Sequence, residues 1–294
     1  MEAIDKIIFG DNQFFGINHM SQEKAQQLSE KFFDINNIYR VYDMAFDAGI
    51  CAAMLNSNDR AKDICNYFRD NKSKYSNIIW YPSIPYPYKY ANLVAEKGIL
   101  SAVNEVLLKD NSAMGVLGMM TKGGMAVLSK DAVKMMQMLI DVEMKIFKGL
   151  DVKAVFLQNI ITDLMLGYGV KEFLARYCEH IRKKYNALPG LITQNMPYLL
   201  NKLKEWDIKE VVVCSSFNKI GYLMSPDVNS YIDAAKKNNS ADYQLMAMST
   251  LASGAIPAKE AYDFINQQNI QSVVFGASSR GHIQETVKFI NCEN

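Results

Sequence analysis

A regular alternation of short apolar runs with segments of helical spacing limits most strongly what this chain can fold into. Eight runs have the length and apolar, often β-branched, composition of buried strands. They are Ile7–Gly10, Arg40–Ala45, Ile78–Ile84, Ala154–Gln158, Gly190–Thr193, Val211–Ser215, Leu245–Ser249 and Ser272–Gly276. Because near-continuous apolar strands alternating with helices are typical of a parallel sheet covered on both faces, eight such units predict an α/β fold, a (β/α)8 TIM barrel.

The third connection is longer than the others. Between the third and fourth predicted strands, helical spacing recurs over Leu93–Lys109 and Lys130–Phe147. No Pro/Ser-rich linker or low-complexity run interrupts the chain there. We therefore interpret this stretch as an elaborated connection between the third and fourth strands, and residues 1–294 as a single barrel domain.

Composition argues against several classes of protein. The 294 residues are 49% hydrophobic and 21% charged with a net charge of +1, so nucleic acid is not an expected partner. The five cysteines form no CxxC motif, which favours free thiols in a reducing compartment. The first residues resemble no signal peptide, and we expect a cytoplasmic protein. Ala113–Leu128 is too short to cross a membrane and is instead a Met-rich candidate surface for homo-oligomer contact.

In such barrels the chemistry lies at the carboxyl ends of the strands. These positions are rich in amides and hydroxyls here, which indicates binding of a small-molecule substrate by hydrogen bonds. Asp11 and Asp43 follow the first two predicted strands, and two close carboxylates would push their pKa values apart. We assign the functional role to Asp43 and interpret Asp11 as a cap of the first loop.

The last strand and helix suggest an anion site. Gly276 ends the strand, and Ser278, Ser279 and Arg280 lead into a helix. The N-terminus of a helix offers free N–H groups to a phosphate, and arginine adds a planar charged donor. The same turn could also simply cap the helix, since serine is a preferred N-cap.

Taken together, several segments resemble the aldo-keto reductase superfamily. They are IIFGDNQFFG, RVYDMAFDAG, FLQNIITD, LITQNMPYLLNKLKEW, VVVCSSFNKIGYLM, MSTLASGAI and VVFGASSRGHIQET. The resemblance implies NADP(H) as cofactor. Gln194 and Asn195 stand where that family binds the nicotinamide carboxamide, and the last strand and its turn (Gly276, Ser278, Ser279, Arg280) where it holds the phosphates. The turn after strand seven supplies Ser249, Leu251, Ser253 and Gly254.

The family's reductases use Asp, Tyr, Lys and His, with Tyr as general acid. Asp43 matches the aspartate, but Ala48 stands at the tyrosine position and Ser83 or Ile84 at the lysine position. Gln158 or Asn159 stands at the histidine position. The candidate catalytic set is therefore completed from neighbouring residues, namely Tyr86, Tyr88, Lys89 and Asn159.

Other chemistry is less supported. The three histidines, His19, His180 and His282, lie on different repeats, so no metal is expected.

Three functions remain open. The chain is an aldo-keto-reductase-like enzyme acting on a small polar carbonyl or sugar-like metabolite, or a non-redox isomerase, lyase or dehydratase that holds a substrate phosphate. The third alternative is a catalytically silent nucleotide-sensing or interaction protein.

Overall fold

The computed structural model describes residues 1–15, 22–86 and 130–292, with the side chains at 22, 24, 25 and 130–132 excepted. Its strands are all parallel and close into a barrel. They are β1 (Ile7–Phe9), β2 (Ala52–Asn56), β3 (Ile79–Ile84), β4 (Asp151–Val152), β5 (Ala154–Leu157), β6 (Leu188–Thr193), β7 (Val211–Ser216), β8 (Tyr243–Met248) and β9 (Ser272–Phe275). The short β4 and β5 both pair with β3, so nine strands fill eight positions. The predicted TIM barrel is confirmed.

Helices surround the barrel. Those in the described ranges are α1 (Gln22–Lys31), α2 (Ile35–Asp47), α3 (Ala61–Asp70), α4 (Lys130–Met144), α5 (Asn159–Gly167), α6 (Lys171–His180), α7 (Met196–Glu205), α8 (Val228–Lys236), α9 (Ala258–Ile265) and α10 (Arg280–Asn291). The predicted helix over Lys130–Phe147 is confirmed as α4 and a following 3₁₀ turn. The predicted helix over Leu93–Lys109 and the segment Ala113–Leu128 lie outside the described residues. Within the described ranges, no helix has the length and hydropathy that crossing a membrane requires.

The predicted second strand, Arg40–Ala45, is wrong, because these residues form the middle of α2. The buried side chains of α2, Ile38, Val41, Tyr42 and Ala45, recur at the three- and four-residue spacing of a helix. The true second strand, β2, has the sequence AAMLN and follows the turn at Gly49. Alanine is depleted in strands, which explains why this segment carries little strand signal.

The barrel interior is filled by alternate side chains from the strands. Met54, Tyr81, Phe156 and Cys214 lie in this inner cluster, whereas the intervening residues pack outward against the helices. The strand pairs differ in extent. β7 and β8 are paired at six positions, whereas β1 and β2 are paired at one, Phe9 with Ala53.

Candidate functional site

A layer of inward-facing residues lies above the barrel core at the carboxyl ends of the strands. Because side chains alternate along a strand, the residue two positions beyond each inner-cluster residue also faces inward. This gives a layer made of Gly10, Asn56, Ser83, Gln158, Gln194, Ser216, Met248 and Gly276. The open end is therefore lined mainly by uncharged polar groups, as the strand-end pattern predicted.

Hydrogen bonds join four residues of this end. Asp11 accepts from the backbone N–H of Asn56 at 2.8 Å and from its Nδ2 at 2.7 Å. Gln158 Nε2 donates to Asn56 Oδ1 at 2.6 Å and to Ser83 Oγ at 2.7 Å. We call this chain of hydrogen bonds, Asp11–Asn56–Gln158–Ser83, the mouth network.

Asp11 is the charged member of the mouth network and is only 3% exposed. Burial raises its pKa to about 6, although the hydrogen bonds from Asn56 oppose the shift. Its role therefore extends beyond the predicted loop cap, because its carboxyl group joins the loop after β1 to the end of β2.

Sequence reasoning missed Asn56, because it assigned the second strand to Arg40–Ala45 and did not identify Ala52–Asn56 as a strand. The available signal was the strand Ala52–Asn56 followed by Ser57 and Asn58, which places amides and a hydroxyl at a strand end. Asn58 adds a further amide, since its Nδ2 lies 3.5 Å from Asp11 Oδ2.

Two buried polar atoms at this end have no hydrogen-bond partner among the described residues. Ser216 Oγ faces inward from the end of β7, and Gln13 Oε1 lies against Gly276. The other end of the Gln13 amide donates to the carbonyl of Gly10 at 2.8 Å.

Asp43 does not lie at this end of the barrel. It is on α2, where Oδ1 accepts from Lys74 Nζ at 2.9 Å and from the hydroxyl of Tyr75 at 2.6 Å. Those partners lie just before β3, at the amino end of that strand. The expectation that Asp43 and Asp11 end adjacent strands is therefore wrong, and with it the placement of Asp43 in the site.

The other predicted catalytic residues are spread differently. The backbone N–H of Tyr86 donates to Ser57 Oγ at 3.1 Å, beside the mouth network. Asn159 is half-buried and begins α5, one residue beyond Gln158. Tyr88, Lys89 and His19 lie outside the described residues.

The predicted nicotinamide pair lies at the end of β6. The side chain of Gln194 is exposed. Asn195 caps α7, because its Oδ1 accepts from the backbone N–H of Tyr198 at 3.2 Å. The Nδ2 group of Asn195 donates to none of the described residues, so it is available to a ligand.

The predicted turn after β8 has a strained backbone. Ser249, Ala252 and Ser253 have φ values of 52°, 46° and 58°, and such left-handed residues other than glycine cost about 1 to 2 kcal/mol each. Leu251 is partly buried beside Ala252, and Gly254 follows with a φ of 90°. Three residues other than glycine thus have left-handed backbone within five positions of this turn.

The turn after β9 leads into α10 as predicted. Ser279 caps the helix by accepting from the backbone N–H of His282. Two cations lie beside the turn. Lys31 Nζ donates to the carbonyl of Ser278 at 2.9 Å, and the guanidinium of Arg280 pairs with Asp47 at 3.0 Å. Exposed pairs of this kind are weak, and the side chains of Arg280 and Asp47 are both exposed.

The combination of Asp, Tyr and Lys expected from the resemblance does occur, but at the amino end of the barrel. The hydroxyl of Tyr81 donates to Asp5, and Lys153 Nζ lies 3.4 Å from the same carboxylate. Burial, together with the Asp5 hydrogen bond, raises the pKa of Tyr81. Since that end of a barrel serves stability rather than catalysis, we interpret this cluster as structural.

In the described part of the chain, no group of three or more Asp, Glu, His or Cys residues could hold a metal ion.

Comparison with solved structures shows what this fold resembles. A Pseudomonas aeruginosa protein assigned to the aldo-keto reductases superposes with a TM-score of 0.61, at 12% identity, over 99% of this chain and 92% of that one. A protein assigned as a 2,5-diketo-D-gluconic acid reductase B gives 0.56 at 10% identity, over 97% and 82%. An aldo/keto reductase from Brucella melitensis gives 0.50 at 11% identity, over 96% and 88%.

No family model and no curated protein matches the sequence. The predicted resemblance to the aldo-keto reductases is thus confirmed at the level of the fold. One of its motifs is misplaced, because RVYDMAFDAG lies in α2 and the following turn rather than in a strand.

Proposed function

We propose that the protein is a divergent aldo-keto-reductase-like enzyme that binds NADP(H) at the ends of β8 and β9. The substrate would be a small polar carbonyl or sugar-like compound bound over the mouth network. The observation that carries the proposal is the capped start of α10, where helix N–H groups, Arg280 and Lys31 surround the turn after β9. Helix dipole, backbone donors and side-chain charge all favour a phosphate there.

The residues present suit such a cofactor. Arg280 and Ser278 would hold phosphate, the strained turn Ser249–Gly254 would lie along the pyrophosphate, and Gln194 would reach the carboxamide. When bound, NADP(H) supplies or accepts a hydride. The chain's own contribution is to orient the substrate through the uncharged groups of Asn56 and Gln158.

A non-redox enzyme is the second candidate. Within the described inward-facing layer there is no Tyr, Lys or His side chain, so the usual proton donor of the family's reductases is not among these residues. The same cationic turn would then hold a phosphorylated substrate.

Calorimetric titration with NADPH, NADH and inorganic phosphate separates these candidates. We expect NADPH to bind and Arg280→Ala to weaken it roughly tenfold or more, because a charge-assisted hydrogen bond is lost. Arg176→Ala is the matched control, since Arg176 is equally exposed, also ion-paired, and lies on α6.

Each result assigns a function. NADPH binding that Arg280→Ala leaves unchanged would contradict the proposed cofactor site. Phosphate binding without dinucleotide binding would favour the non-redox enzyme. A protein that binds none of the three would fit the silent interaction protein.

A further inference from the structure

The mouth network has a direction, because Asp11 can only accept hydrogen bonds when it is ionised. The Asn56 Nδ2 group must therefore face Asp11, as observed at 2.7 Å. This leaves Asn56 Oδ1 facing Gln158, whose Nε2 donates to it at 2.6 Å. The charge of one carboxylate thus sets the orientation of two successive amides.

This orientation of the amides determines which side-chain atom of Gln158 is available to a ligand. With Nε2 committed to Asn56 and Ser83, the amide oxygen Oε1 faces away from the network. Gln158 Oε1 accepts no hydrogen bond from the described residues. These residues also do not bury it completely, so it is accessible to a ligand. The backbone holds this residue in place, since Gln158 N–H donates to the carbonyl of Ile84.

We infer that Gln158 Oε1 accepts a hydrogen bond from the ligand, so that the ligand group at this point is a hydroxyl donor rather than a carbonyl oxygen. Asp11 is then a positioning residue that acts on ligand choice through Asn56. The inference rests on the proposed function only in placing a small polar ligand over the mouth network. Among the proposed small polar carbonyl or sugar-like substrates, it selects those that present a hydroxyl group to Gln158.

Replacing Asp11 with asparagine should reverse the direction of the network. The backbone N–H of Asn56 always needs an acceptor, so the single new side-chain oxygen must face it. The new NH2 group then faces the Asn56 side chain, which must turn its oxygen toward it and its NH2 toward Gln158. Gln158 turns in response and presents Nε2, a donor, to the ligand.

The first test needs no ligand and follows the Gln158 side-chain NH2 signal by ¹⁵N NMR. The signal is assigned by its loss in Gln158→Met. In the wild type at pH 7.5 we expect its hydrogens to exchange slowly and to show contacts with Ser83. In Asp11→Asn we expect faster exchange by roughly tenfold or more and loss of those contacts. Unchanged exchange and contacts in Asp11→Asn would overturn the inference.

Two further variants distinguish reorientation from damage to the fold. In Asp11→Asn combined with Asn56→Asp the carboxylate moves to position 56, where it accepts from Gln158 and restores the wild-type orientation. Asp163→Asn is the matched control, since Asp163 also binds the end of a neighbouring strand, accepting from the N–H of Gln194 at 3.0 Å. Failure of the double variant to restore the slow exchange, or an equal effect of Asp163→Asn, would overturn the inference.

The second test measures ligand preference with 2-propanol and acetone, which differ only in a central hydroxyl or carbonyl and carry no other polar group. Titration by NMR, followed at the same Gln158 signal, should favour 2-propanol by roughly three- to tenfold in the wild type. The preference should reverse in Asp11→Asn. Equal binding of the two probes by the wild type, or an unchanged preference in the variant, would contradict the inference. Neither test involves the cofactor, so failure of NADPH binding remains a separate result.

Discussion

The ring of Phe156 occupies the space beside Gly190 in the barrel interior. A Cβ on residue 190 would lie 2.4 Å from Phe156 Cδ1 and 2.6 Å from two further ring carbons. Phe156 is fully buried, and a close-packed interior gives its ring little room to move. The glycine on β6 is therefore required by the aromatic side chain on the neighbouring strand.

Gly190→Ala should destabilise the protein by about 2 to 3 kcal/mol, because the added methyl group overpacks the core. Urea unfolding measures the change. Gly167→Ala is the matched control, since a Cβ at that position on α5 meets nothing within 4 Å. A free energy of unfolding for Gly190→Ala within 0.5 kcal/mol of the control's would contradict this account.

Gly276→Ala should cost less, about 1 kcal/mol. Its Cβ would lie 2.0 Å from Gln13 Oε1, but that atom ends a flexible side chain and can turn away. Gln13→Ala removes the clash, so the double variant should lose no more stability than Gln13→Ala alone. A fully additive loss, measured by urea unfolding, would show that the two residues do not interact.

Asp11 should make stability depend on pH in the direction opposite to most carboxylates. Its pKa is about 6 in the folded protein and 3.8 as the reference value, so between these values the folded state binds more protons than the unfolded state. Stability from this group therefore falls as pH rises from 4 to 6 and is constant above that. We expect the difference in unfolding free energy between wild type and Asp11→Asn to change by on the order of 2 kcal/mol across this window. A flat difference from pH 4.5 to 7.5 would contradict the raised pKa.

Asp141 should behave in the opposite way. Burial raises its pKa, but hydrogen bonds from His180, Lys184 and Tyr185 outweigh burial and lower it to about 2. The stabilisation is present above pH 4 and lost as pH falls toward 2. Because the site is partly exposed, we expect only about 1 kcal/mol. Acid unfolding of Asp141→Asn compared with Asp233→Asn, an exposed control on α8, measures it; equal acid sensitivity of the two variants would contradict the assignment.

How far the sequence predicts this fold depends on the period of each apolar run. Seven of the eight predicted strands coincide with observed strands because short runs of mainly apolar residues mark them in the sequence. RVYDMA also reads as a strand when taken alone. Ile38 and Phe46 continue the apolar face of the helix but lie outside this run. The helical spacing of apolar residues is therefore visible only over the longer segment.

The candidate site was harder to predict because it depends on which residue of a strand end faces inward. Gln158 and Asn159 are adjacent amides after the same strand, yet the first belongs to the mouth network and the second begins a helix. Phe156 on β5 faces the barrel interior. Since side chains alternate along a strand, Gln158 also faces inward and Asn159 does not. Which alternate residues of a strand face the interior depends on the register of the whole barrel and cannot be determined from the local sequence.

The single backbone pair between β1 and β2 has a consequence for local unfolding. Asp11 and Asn56 join these strands through side chain and backbone just beyond the pair Phe9–Ala53. Because β1 and β2 share one backbone pair whereas β7 and β8 share six, opening of the barrel should begin at this joint. The amide hydrogens of β2 that face β1 should then exchange with solvent before those of β7 and β8. A ligand bound over Asn56 would slow that exchange, so the dynamics of barrel closure would report occupancy of the site.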